Sequence, residues 1–411
     1  MTTRMPEINA GRLWDAHMRM AAIGPTPEGG SNRMALTAED TAARALLLDW
    51  CRPLGLTHEQ DAIGNMFLRR PGTDPSARAV AFGSHLDTVP TGGRFDGVFG
   101  VLAGLEVLRA LHEAGVTTRA PLELVNWMNE EGSRFRPSMM GSRVHVGDLA
   151  LDTALATTDD QGVSVAEAMR QAEQGGSAAL GPRDWACWLE GHIEQGPIME
   201  ATGTDIGIVT GTVQARYFQL VIKGEPAHVA ATTMDRRRDS LAAAAEVILA
   251  VERLGLAQEP GGRTSAAWIE NRPNARGNVP DTTHLQCDMC PESPEAVAVM
   301  EAAFREALAE IERRRRVAIS VDPYATFGPI RFDPGVSARL RDAAQSRQLT
   351  TRDMTATAGH DSVLMAAMYP SALFFIPSVG GITHNPREYS TAEQIAHGAR
   401  SLLDAVLALS M

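Results

Sequence analysis

The chain has 411 residues, is 44% apolar but only 5% aromatic, and carries a formal charge of −12. That length supports two or three domains around a large core, which must be aliphatic and alanine-rich. The acidic balance argues against nucleic acid and anionic membranes as partners.

Met1 to Gly24 has polar residues throughout its length and lacks the apolar h-region of a signal peptide. No apolar run nears membrane-spanning length, so a soluble, cytoplasmic protein is expected. Residues 39–51 set Ala42, Ala43, Leu46, Leu47 and Trp50 at helical spacing. Ala79 to Phe82 reads as a buried strand, Gly97 to Glu113 as an amphipathic helix, and Leu122 to Met128 as a second buried strand. Gly100 and Gly104 would let that helix pack closely. Strand, helix, strand at this spacing implies a βαβ unit in a mainly parallel sheet.

The middle differs. Strands are expected at Tyr217 to Ile222, Ser265 to Glu270, His284 to Cys290 and Val317 to Val321. Helices are expected at Arg236 to Leu254 and Pro294 to Arg313, the second capped by Ser293. The order β-α-β-β-α-β is the split βαβ, ferredoxin-like pattern of a small α+β domain. The α/β pattern then resumes with a helix near Val336 to Ser346, a strand at Ala372 to Ile376 and a helix from Ala392 to Leu409. The fold class is therefore α/β, with residues 1–212 plus 328–411 as the larger domain and 213–327 inserted into it.

Several chemistries drop out. Cys51, Cys187, Cys287 and Cys290 are too scattered for a disulfide framework. Cys287 and Cys290 spell C-x-x-C, but three residues apart on a strand they face opposite ways. Lys223 is the only lysine, which removes the P-loop and the Ser–Lys amidases. The basic run Arg313 to Arg316 reads as a solvated helix end.

There remains a set of His and acidic residues after apolar runs. His85 follows the first strand in Gly83-Ser84-His85-Leu86-Asp87-Thr88. A metal-binding imidazole is usually oriented through its other nitrogen, and Asp87 is placed either for that or to cap a turn. Asp96 stands at the mouth of the helix, in Gly92-Gly93-Arg94-Phe95-Asp96-Gly97, suited to cap it or to bridge two cations. Glu130 and Glu131 follow the second strand at the sheet edge where open α/β sheets bind ligands. Consecutive side chains diverge, so one would be a ligand and the other a base. His192, in Glu190-Gly191-His192-Ile193-Glu194-Gln195-Gly196-Pro197, and His384, in Thr383-His384-Asn385-Pro386-Arg387-Glu388, follow further apolar runs.

These motifs, with Trp127-Met128-Asn129-Glu130-Glu131-Gly132 and Ala358-Gly359-His360-Asp361, resemble the hydantoinase/carbamoylase amidase family over nearly the whole chain. That family includes N-carbamoyl-L-amino acid hydrolases, allantoate amidohydrolases and β-ureidopropionases, within the two-metal aminoacylase and carboxypeptidase superfamily. The resemblance implies a di-metal hydrolase domain with an inserted lid and dimerisation domain. It implies two divalent ions per subunit, drawn from Zn, Mn, Co or Ni because the ligands are N and O only. His85, Asp96 and His192 would hold one ion, and Asp96, Glu131 and His384 the other. Glu130 would be the general base, with Asp87 beside it in the catalytic set. His228, in Gly224-Glu225-Pro226-Ala227-His228, would contact the oxyanion. Gln195, Asn278 and His360 would bind a small-molecule substrate. A homodimer through the inserted domain is implied, with no nucleic acid and no membrane.

The sequence also departs from the family. After His228 comes Val229-Ala230-Ala231-Thr232-Thr233-Met234, where the family usually has Ala-Gly-Thr-Thr-Pro-Met. Cys290 stands where relatives place an Arg that forks onto the substrate carboxylate, which a thiol cannot do. Either Arg276, Arg272 or Arg216 supplies the guanidinium, or the substrate lacks that carboxylate. The expected activity is hydrolysis of a linear C–N bond in an N-carbamoyl amino acid or related ureide. A dipeptidase or aminoacylase on the same scaffold is the alternative, and a non-catalytic binding protein a remoter one.

Overall fold

The structure is a computed structural model that describes residues 5–258, 262–291 and 293–411. The first four residues of the polar N-terminal stretch therefore lie outside the described part. The chain forms two compact units. One comprises residues up to Thr210 with Arg331–Met354 and Ala358–Met411; the other is Gly211–Ile330 with Thr355–Thr357.

The first unit is built on an eight-stranded sheet. Four neighbouring central strands are parallel: Leu122–Trp127, Ala79–His85, Trp185–Ile193 and Ser371–Ile376. All residues of Ala79–His85 and Leu122–Trp127 are buried, as expected of strands covered on both faces. The first runs three residues further than its apolar stretch. Polar Ser84 can stay inside because its hydroxyl donates to buried Glu190 at 2.7 Å. Antiparallel strands Thr57–Gln60 and Met66–Arg70 extend one edge.

Helix Val98–Glu113 lies on this sheet, with Leu102, Leu105 and Leu108 in one core with Phe82 and Leu124. It packs so closely that a methyl group on Gly100 would meet the Gly191 carbonyl oxygen at 2.5 Å. Helix Ala10–Ala21, capped by Asn9, packs on the same side and buries Leu13, Ala16, His17 and Met20. Helix Ala392–Ser410 joins it, opened by a capping box between Thr391 and Gln394.

The second unit has the order β-α-β-β-α-β: Ala215–Lys223, Ser240–Leu256, Arg263–Arg272, Thr282–Cys290, Pro294–Arg315 and Ala318–Phe327. Its four strands are antiparallel, in the spatial order Ala318–Phe327, Ala215–Lys223, Thr282–Cys290, Arg263–Arg272. One face packs on the helices through Phe218, Leu220, Leu285 and Met289 against Val247, Val251 and Phe304. The first helix starts four residues later than expected. Asp239 caps it by accepting from Leu241 N and Ala242 N, and Met234–Arg236 form a separate short turn. Cys287 is buried under the helices while Cys290 lies on the opposite face. Among the described residues no helix is long and apolar enough to cross a membrane.

Candidate metal centre

Parallel strands all end on one edge, and that edge gathers the polar residues. His85 ends its strand, His192 lies next to last in the neighbouring one, and Glu130 and Glu131 follow Trp127. His384 follows the strand Ser371–Ile376 through a short turn. Asp96 arrives from the loop before helix Val98–Glu113. It does not cap that helix: Gly97 holds the cap position at φ 65°, with no side-chain bond to the first turn. The Asp96 carboxylate is left free to face the histidines.

Ligand-type atoms of His85, Asp96 and His192 lie within 4.8 Å of one another, and so do those of Asp96, Glu131 and His384. Asp96 is common to both groups. Its Oδ1 is 3.0 Å from His192 Nε2 and 3.8 Å from His85 Nε2, and its Oδ2 is 3.3 Å from His384 Nε2. Glu131 Oε2 is 3.4 Å from His384 Nε2. Both inner imidazoles are fixed from behind. His85 Nδ1 meets the Asp87 carbonyl at 2.9 Å and His192 Nδ1 the Ile193 carbonyl at 3.0 Å. With Nδ1 held on a carbonyl, each ring turns its Nε2 towards Asp96, the nitrogen that a cation would take.

The electrostatics agree with a cation site. Burial, against the pull of Asp96, pushes His85 down to about 4, so its Nε2 is unprotonated at neutral pH. Burial also acts on His192, but Asp96 and Glu190 outweigh it and raise the ring to about 9. Its Nε2 is contested, because Gly97 N–H donates to it at 3.1 Å only when it carries no proton. His384 is raised to about 9 by its hydrogen bond to Asp96. Burial opposes ionisation of Asp96, yet His192 and His384 hold it well below the usual carboxylate range. Glu130 and Glu131 are both pushed well up, first by burial and then by neighbouring carboxylates. Three carboxylates and three imidazoles of N and O type, buried around His85 and His192 and open to solvent at His384, fit divalent ions such as Zn, Mn, Co or Ni.

Asp87 has another task than the one expected of its carboxylate. The Asp87 carbonyl takes the hydrogen bond of His85 Nδ1, and Asp87 Oδ1 lies 3.8 Å from the same nitrogen. The carboxylate instead accepts from Glu130 N and Glu131 N at 3.2 Å each. It thereby holds the turn that carries both acids, with Asn129 at φ 53° bonded through its side-chain amide to the Phe135 carbonyl. Burial, then Asp40, raises Asp87 to about 7. Glu130 Oε2 lies 3.5 Å from His85 Nε2, facing the space between the two groups.

Gln195 Nε2 donates to Asp96 Oδ2 at 2.8 Å, so the residue expected at the substrate rests on the shared carboxylate. His360 is 2% exposed and stacks edge-on to His192 with centroids 4.5 Å apart. The adjoining cavity of about 190 Å³ is lined by Glu130, Glu131, Gln195 and His384, and by Ala358 and Gly359 rather than the His360 ring. A larger cavity, about 780 Å³, lies among Leu36, Thr37, Arg134 and Asp159. Neither described ligand group opens into it, and Arg134 there is occupied by Asp159 and by the Ala35 and Leu36 carbonyls.

In the second unit His228 and Asn278 face each other across a two-residue ladder. His228 Nδ1 accepts from Ala230 N at 3.1 Å and Ala231 N at 3.2 Å, which leaves the ring proton on Nε2. Arg216 pairs with Met289 in the ladder and turns to the helix face, 3.6 Å from Glu301. Arg272 bonds Glu270 at 2.7 Å at the far end of the strand from Cys290, and Arg276 is exposed in the loop before Asn278. The residue opposite Cys290 is Arg263.

Sequence reasoning missed the layer behind the centre. Glu190 accepts from Ser84 Oγ, Ser362 N and Ser362 Oγ, and Asp361 accepts from Ser142 Oγ. Glu388 accepts from Phe95 N and Asp96 N at 3.0 and 3.1 Å. A polar residue inside an apolar strand was the available signal for Glu190. Nothing in the local pattern marks Glu388, whose partners are nearly three hundred positions away.

A sheet edge that gathers two acid–imidazole groups around a shared aspartate, with Glu130 beside them, is the arrangement of a metal-dependent amidohydrolase. Residues 81–408 match the model of Peptidase family M20/M25/M40, and the chain belongs to that family, with the hydantoinase/carbamoylase amidases as its near relatives. It is similar to N-carbamoyl-L-amino-acid amidohydrolase of Rhizobium meliloti, 38% identical over 400 residues covering 97% of this chain and 96% of the relative. Ureidoglycolate hydrolase of Arabidopsis thaliana is 33% identical over 415 residues, covering 98% and 87%. The crystal structure of a hydantoinase/carbamoylase family amidase from Burkholderia vietnamiensis superposes with a TM-score of 0.94 at 38% identity, covering 100% of this chain and 99% of that one. The chain is thus a hydrolase of linear C–N amide bonds.

Proposed function

We propose that the protein hydrolyses the ureido bond of an N-carbamoyl amino acid or a related ureide, using two divalent cations. His85, Asp96 and His192 would hold one, and Asp96, Glu131 and His384 the other. The observation that carries this reading is the pair of ligand groups sharing Asp96. Bound there, the cations supply Lewis-acid polarisation of a poorly electrophilic ureido carbonyl, worth several kcal/mol. Glu130 would take the proton of the attacking water and pass it to the leaving nitrogen. Asp87 keeps Glu130 and Glu131 pointing apart by gripping their amides. His228, whose Nδ1 accepts from Ala230 N and Ala231 N, would donate through Nε2–H to the developing oxyanion, and Asn278 beside it would bind substrate. Gln195 turns from Asp96 to the substrate.

Arg276, exposed in the loop before Asn278, would supply the guanidinium for a substrate carboxylate where Cys290 replaces the family's arginine. The family resemblance would make the second unit a lid and dimerisation domain, and light scattering should then give twice the monomer mass.

The test is product analysis on N-carbamoyl amino acids, their carboxamides, N-acyl amino acids and dipeptides, with ammonia read from the ureido substrates and free amino acid from the acyl and peptidyl ones. Turnover of the ureido acids is expected. Cleavage of only acyl or peptidyl substrates would replace this reading with the aminoacylase one, and equal rates on acid and carboxamide would remove the carboxylate-binding role of Arg276.

A further inference from the structure

Glu388 is 2% exposed and four residues beyond His384. Its Oε1 accepts from Phe95 N and Asp96 N at 3.0 and 3.1 Å. Its Oε2 is 3.2 Å from the Thr383 hydroxyl, which also reaches Asp96 Oδ2 at 3.0 Å. Asp96 is therefore held at both ends by one segment: its amide by Glu388 and its carboxylate by Thr383. That same segment carries His384, in a turn closed by Glu388 N on the Asn385 carbonyl at 2.9 Å. Gly93 completes the fit, because any β-carbon there would overlap the Glu388 carboxylate.

We propose that Glu388 is a positioning residue that sets Asp96 and His384 relative to each other, and so decides whether the second cation site is assembled. A buried carboxylate that merely satisfied two amides would not need to connect the loops of two ligands from opposite ends of the chain. Here one side chain fixes the loop of the shared ligand against that of the outermost one. Ligands must stay within a few tenths of an ångström of their places for tight binding, and partners behind the ligands typically carry 10–100-fold in affinity. This inference rests on the assignment of Asp96, Glu131 and His384 as cation ligands.

The test is ion stoichiometry and affinity, by competition with a chromophoric chelator using Zn and Mn, on the wild type, Glu388→Gln, Glu388→Ala and Thr383→Val. Glutamine keeps a carbonyl oxygen for both amides and an amide group for Thr383, so two ions are expected within roughly threefold of wild-type affinity. Alanine should keep one tight ion and weaken the second by roughly 10–100-fold. Thr383→Val, which leaves the amide contacts whole, should weaken the second ion by a smaller factor and decides the matter if the alanine variant does not fold. Two tight ions in both Glu388→Ala and Thr383→Val would overturn the proposal. So would equal weakening of both ions, which marks a general structural role. A wild type that binds no ion would instead overturn the ligand assignment itself.

Discussion

Replacing Gly97 by alanine should strip the first cation site while leaving most of the fold intact. Gly97 sits at φ 65°, where an L side chain costs about 1 kcal/mol or somewhat more. Its added β-carbon would overlap the His85 imidazole around Nε2. Ordinary contact needs about 3.5–4 Å, so the ring must swing away by about 1 Å or more. His85 cannot follow the change cheaply, because it is 2% exposed and its Nδ1 is fixed on the Asp87 carbonyl. One of the three ligands His85, Asp96 and His192 is then out of range. Affinity should fall by at least about 100-fold, or about 2.7 kcal/mol, since even partners behind a ligand carry up to that much. Chemical denaturation of the metal-free protein should show a loss of only about 1–3 kcal/mol. Ion affinity by chelator competition and stability by urea titration separate the two effects. A Gly97→Ala protein that binds two ions with wild-type affinity would refute the geometry of the first site.

Glu130→Gln keeps the shape of the side chain but cannot accept a proton. It should lower kcat by about 100-fold or more with ion content unchanged; unaltered turnover would remove Glu130 as the base. Asp87→Asn turns an amide group towards one of two buried N–H donors, and about 2–4 kcal/mol of stability should be lost together with activity, read by urea titration. Chelation should abolish turnover and lower the melting temperature, with both restored by Zn, Mn, Co or Ni. His17 is pushed down to about 4 by burial, against an unfolded value near 6.5. Between those values the unfolded chain binds the extra proton, so this contribution is whole above pH 6.5 and declines as pH falls to 4. The wild type should lose up to about 3 kcal/mol relative to His17→Leu across that window, and a constant difference in urea titrations would contradict it.

Much of the centre was legible because parallel strands are short, dry and end together. Ala79 to Phe82 and Leu122 to Met128 stand out as apolar runs, and the residues just after each run must emerge at the same sheet edge. His85, Glu130 and Glu131 are thus placed by elementary topology. The inserted β-α-β-β-α-β unit was readable from alternation alone in Thr283 to Cys290, where Leu285, Cys287 and Met289 are buried and their neighbours are not. Contacts set by loop conformation were not legible. Asp87 lies beside His85 in sequence, yet its carboxylate turns to the amides of Glu130 and Glu131, because the left-handed Asn129 brings them there. Glu388 was invisible for the same reason at longer range. The strand Thr57–Gln60 was missed because it is an exposed edge with no buried face to impose alternation. Helix Ala10–Ala21 did carry a signal, with Leu13, Ala16, His17 and Met20 on one face, but a fully buried histidine reads as polar in any such count.

The most direct measurement is the number of divalent ions retained per chain after equilibration in a metal buffer, for the wild type and Asp96→Asn. The wild type should hold two. The variant, which weakens the one ligand common to both groups, should lose both in parallel. One ion in the wild type, or an Asp96→Asn protein that keeps two at unchanged affinity, would contradict a centre organised around a shared aspartate.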